Sequence, residues 1–227
     1  MIKQTVLILG LLALTTAVAQ QPAADKAAAW TPTRTPDGQP DLQGTWVNFD
    51  GTPFEADTSV TQSNVNPPSH WTDHDSPMSP KRRSMVVDPA DGRVPVMKWA
   101  EDKRDYDLAH LEDAPWHETP WVRCITRGYP ATFFPAGYNN AYEIIQTPGY
   151  VVVVFEMIHE TRIIPVDGRP HVSQGIRQYL GDSRGHWEGD TLVVEVTNFS
   201  DKTDFRGSRE TLRLVERFSR VDADSIN

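Results

Sequence analysis

The chain has 227 residues, 38% hydrophobic and 23% charged, with 31 acidic against 22 basic side chains and a net charge of −9. That length can bury one sizeable core. The acidic balance repels nucleic acid and anionic lipid, which removes both from the expected partners.

Residues 1–19 read as a secretory signal. Lys3 supplies the positive start, Val6 to Leu14 the apolar stretch, and Ala17-Val18-Ala19 the cleavage site. The apolar run is too short to span a bilayer and no later segment approaches that length, so no membrane insertion is expected. The mature protein is expected in the periplasm or outside the cell. No cysteine stands directly after the cleavage site, where Gln20 follows Ala19, and Cys124 is the only one in the chain. It cannot form an internal disulfide and reads as a buried thiol packed as a small hydrophobe.

Residues 20–41 are rich in Ala, Thr and Pro and read as an extended arm without a core of its own. Residues 42–227 read as a single β domain with a polar, proline-bearing insert at 51–83. The first strand is expected over 42–49, where Gly44-Thr45-Trp46 resembles the G-x-W that opens the first strand of lipocalin-like barrels. Within the insert, His70 and His74 would share a face only on a helix, and the flanking prolines oppose one. A short hairpin is expected over 84–96, and 97–113 is the one convincing helix, with Met97, Ala100, Leu108 and Leu111 on one face. Pro115 should stop it.

Residues 116–140 are irregular and aromatic. Trp121, Phe133, Phe134 and Tyr138 must cap the core or line an entrance to it. The most β-branched stretch follows, Tyr142 to Ile164, with Thr147-Pro148-Gly149 as the turn of an antiparallel hairpin. The same strand is expected to run on through His159 to Ile164. Further strands are expected over 174–180, 191–197 and 210–221, with Asp182-Ser183-Arg184-Gly185 as a turn. Strands joined by turns, with no helices between them, imply an antiparallel all-β domain, and at least six strands favour a closed or nearly closed barrel. The chain stops at Ser225-Ile226-Asn227, where another strand is expected to begin, so the barrel is expected to be incomplete at its C-terminus.

Period two assigns the faces. Val151, Val153, Phe155, Met157, His159, Thr161 and Ile163 should point inward, with Arg162 and Ile164 on the opposite face, and Leu212, Leu214, Glu216 and Phe218 should point inward too. An inward Glu216 needs a partner, either His159 or an arginine. His159 with Glu216 or Glu160 could act as a general base, and His171, on a turn, is a third candidate. These are too few ligands for a stable metal site. No phosphate-binding glycine loop, nucleophile elbow or C-x-x-C is present, so no cofactor is named. Nothing sets the oligomeric state.

The segments RIIPVDGRPH, GDSRGHWEGDTLVVEVTNF and LRLVERFSRVDAD, within 123–224, resemble a large family of uncharacterised secreted bacterial proteins. The resemblance brings no activity and assigns no catalytic residue. The expected function is therefore that of a lipocalin- or calycin-like barrel binding a small, largely apolar ligand. Phe155, Met157, Trp121, Phe133, Phe134, Tyr138 and Arg162 are its expected contacts. A periplasmic hydrolase or lyase using His159 with Glu216 or His171 is the alternative, and a protein-interaction module built on the arm and the insert is another.

Overall fold

The computed structural model describes residues 30–48, 52–56, 82–134, 136 and 138–227. The expected signal segment and the His70/His74 pair lie outside the described residues. All the elements below belong to the unit Thr31–Asn227.

The valine-rich stretch forms the expected hairpin. Strands β2 (Ala141–Thr147) and β3 (Tyr150–Phe155) pair antiparallel across Pro148-Gly149, with Thr147 opposite Tyr150. Gly149 has φ +81°, the left-handed value that a turn of this kind demands at that position. With β1 (Gly44–Val47) and β4 (Thr161–Pro165) they make a four-stranded sheet in the order β1-β2-β3-β4. Along β3, Val151, Val153 and Phe155 are buried and the residues between them are not. Each such side chain withdrawn from water stabilises the fold by roughly 1.5–3 kcal/mol.

The expected continuous strand from β3 to Ile164 does not form. At Met157–His159 the chain makes a tight turn in which Ile158 and His159 adopt φ of +61° and +52°. Phe155 N–H closes the turn on the Glu160 carbonyl at 2.8 Å. The turn resets the alternation of faces. Arg162 and Ile164, expected to face outward, are 3% and 0% exposed, whereas Ile163 is 59% exposed and His159 lies at the surface.

Strands β5 (Asp182–Glu188), β6 (Thr191–Thr197) and β7 (Leu214–Ser219) form a second antiparallel sheet. Residues 182–185 are thus a strand and not a turn. The reversal falls earlier, at Gly181 (φ +67°), where a Cβ would lie 2.6 Å from the Thr197 carbonyl. The stretches 84–96 and 174–180 carry no strand, although Gln178 bridges Phe199 and Met85 N–H bonds the Pro53 carbonyl. The two sheets meet where β4 runs into β5. A Cβ on Gly185 would stand 2.8 Å from Val166 and 3.0 Å from Ile164, so glycine permits this approach. Val151, Val153, Phe155 and Ile164 of one sheet and Leu192, Val194 and Val196 of the other share one core. The described strands make two separate hydrogen-bonded sheets and no closed barrel. A barrel requires an unbroken ladder around its circumference.

The helix α1 covers Lys98–Ala109, shorter than expected, and Ala100 is its one buried residue. Trp99, Tyr106 and Leu108 are 53%, 55% and 56% exposed, so it lies on the surface. The last stretch of the expected arm folds back onto the domain: Arg34 bridges Pro40 and pairs with Asp190 in the β5–β6 turn at 2.5 Å.

Candidate functional site

Two groups of polar and aromatic side chains stand out. The first is sealed between the sheets. Arg162 stands opposite Val153 on β4, and Glu216 opposite the wholly buried Val194 on β7, so register aims both into the core. The guanidinium meets the carboxylate through two parallel bonds, of 3.2 Å and 2.5 Å, and donates Nε–H to Ser183 Oγ at 3.0 Å. Its carbon also lies 4.4 Å from the Tyr129 ring centre. Of the two partners expected for Glu216, an arginine takes the role: both Glu216 oxygens are occupied by Arg162, and His159 is elsewhere, on the surface. Close by, Thr126 donates to Glu160 Oε2 at 2.8 Å. Burial pushes the Glu160 carboxyl above its ordinary range, against the opposing pull of Thr126, the Arg127 backbone and Arg162. Burial likewise pushes the Tyr129 phenol far up. Tyr129 Oη and Glu160 Oε1 are buried with no hydrogen-bond partner among the described residues.

The second group is open. A cleft of about 590 Å³ lies between α1, the stretch 116–123 and the loop 201–209. Trp99, Leu108, Leu111 and Trp116 give it apolar walls, and the last of these is 74% exposed. The loop 201–209 approaches the helix closely at Gly207, whose φ is +87° and where a Cβ would lie 2.4 Å from that of Ala100. Asp107 braces the opposite side, pairing with Lys103 and accepting from His117 Nδ1 at 2.9 Å. Burial opposes ionisation of Asp107, but the hydrogen bonds from Lys103 and His117 prevail and hold its pKa below the ordinary value.

The expected ligand contacts are distributed over the fold. Phe155 and Met157 are 2% and 5% exposed, and Phe133 packs edge-on against Phe155 with centroids 4.9 Å apart. Phe134 lies 4.7 Å from Phe54. Trp121 sits beneath Arg127 at 5.1 Å. Burial lowers the pKa of that arginine, and the neighbouring Tyr138 opposes the effect. None of these side chains lines the cleft. His171 is hydrogen-bonded through Nδ1 to the buried Asp182 at 2.8 Å, and Arg184 holds the other Asp182 oxygen at 2.6 Å. Cys124, expected to be buried, is exposed. Among the described residues no three His, Cys, Asp or Glu are grouped to hold a metal ion, and no helix is long and apolar enough to cross a membrane.

Sequence reasoning missed the cleft because its walls come from two distant stretches. The available signal was the helix itself: Trp99 and Tyr106 interrupt its charged face. Comparison of the chain with protein-family models, curated proteins and solved structures returns no match.

Proposed function

We propose that this chain is a secreted small-molecule-binding β domain that takes a largely apolar ligand, and that the ligand seats in the α1 cleft. The observation that carries this reading is the set of exposed tryptophan and leucine side chains around a volume of about 590 Å³. Small-molecule pockets run to roughly 300–1,000 Å³ and join apolar walls to a few polar anchors. The interior site expected of a lipocalin-like layout has less support, because Val151, Val153, Phe155 and Val194 pack together there. Export would follow cleavage near Ala19, and the mature N-terminus read by mass spectrometry checks it.

Titration of the protein with the neutral dye Nile red tests the binding reading. Its emission should rise and shift to the blue, and Leu108→Asp should abolish the response while leaving the far-ultraviolet circular dichroism unchanged. A dye response indifferent to Leu108→Asp, or no response at all, sinks the reading.

A further inference from the structure

We infer that the cleft selects an amphipathic anion, a carboxylate carried on an apolar body. This rests on the binding reading above and adds the charge of the ligand. In a chain with 31 acidic and 22 basic residues, the cleft lining carries six basic side chains against four acidic ones, and Arg104 and Arg206 pair with Asp105 and Glu55 just outside it. Two of the cations, Arg123 and Lys202, have no ion-pair or hydrogen-bond partner for their side chains among the described residues. Arg209 is tied to Asp204 by one long contact of 3.4 Å. Its Nε is buried, with no acceptor among the described residues.

A buried donor without an acceptor is costly, and an arginine edge matches the two oxygens of a carboxylate. The exposed Arg123 guanidinium offers such an edge at the cleft wall. The acidic groups bound the choice further. Asp107 is neutralised by Lys103, and Asp204 faces Arg209. Among the described residues Glu118 and Asp201 form no ion pair, and Asp201 accepts from Ser200 Oγ, so both repel a highly charged guest. A single negative charge suits this lining better than a polyphosphate. The walls supply the other half of the specificity, since Trp99 and Trp116 are more than half exposed and offer flat faces to an alkyl or aromatic body.

Octanoate and octanol share a chain and differ in the head group, so calorimetric titration of the full chain with each at low salt isolates the charge. Octanoate should bind about tenfold tighter. In the double variant Arg123→Met/Lys202→Met, whose replaced side chains are both exposed, the two ligands should bind within about twofold of each other, with unaltered circular dichroism. Equal affinities in the unaltered protein, or a preference that persists in the double variant, overturn the inference. If Nile red still responds to Leu108→Asp in those cases, the binding reading stands without it. Absence of Nile red, octanoate and octanol binding together removes both.

Discussion

The sealed cluster around Arg162 and the open cleft under α1 are built from the same materials, arginine, carboxylate and aromatic rings, and differ in how far their cations are satisfied. Between the sheets, Arg162 spends its donors on Glu216 and Ser183 and its face on Tyr129. In the cleft, the Arg123 and Lys202 side chains have no partner among the described residues, and the tryptophans face water. A buried charge is tolerated only when satisfied, so Arg162 and Glu216 are committed to holding the sheets together. An exposed charge costs little to leave free, and such a group is available to a ligand.

The largest effect expected from breaking this contrast comes from Glu216→Ala, which strands the Arg162 cation in the core. Urea denaturation should show a loss of about 3–5 kcal/mol, whereas the paired replacement Arg162→Met/Glu216→Leu should cost much less. Gly207→Ala comes next. Its Cβ would meet Ala100 at a backbone angle that L-residues rarely adopt. A loss of about 1–3 kcal/mol is expected, together with weaker Nile red binding as the loop is pushed from the helix. Trp116→Ala should reduce Nile red affinity several-fold while changing stability by less than about 0.5 kcal/mol, because that ring is mostly exposed.

The smallest effect belongs to Glu160→Gln. The folded-state pKa of Glu160 is raised by burial. Its contribution to stability is therefore fully present below the unfolded pKa and is lost as pH rises through the folded one. Glutamine keeps an acceptor for Thr126 without the charge, so the variant should be more stable than the parent at neutral pH, by under about 1 kcal/mol given the residual solvent around the group. The advantage should shrink toward pH 4, and thermal melts across that range check the sign.

Some of this architecture was legible from residue patterns alone. The turn at Pro148-Gly149, the strand over 191–197 and the inward face of Val151, Val153 and Phe155 follow from turn chemistry and period two, which act over a few residues. The same reasoning carried period two through Met157–His159 and so assigned Arg162 and Ile163 to the wrong faces. One turn with residues at positive φ shifts every later side chain to the other face, and Ile158 gives no local sign of such a backbone. Asp182 to Gly185 misled in the opposite sense: the glycine suits a turn in isolation, yet here it clears space for Val166 and Ile164.

The sequence by itself determined an acidic chain, rich in antiparallel β-structure, with one helix and an inward Glu216 that needed a partner, because composition, alternation and the cost of a lone buried carboxylate are properties of neighbouring residues and of solvent. Which cation met that carboxylate, how the strands divided between two sheets, and where a cleft opened were decided only by the tertiary structure. Those outcomes depend on contacts between residues far apart in the chain, such as Arg162 with Glu216 and Ala100 with Gly207, and local pattern carries no information about them.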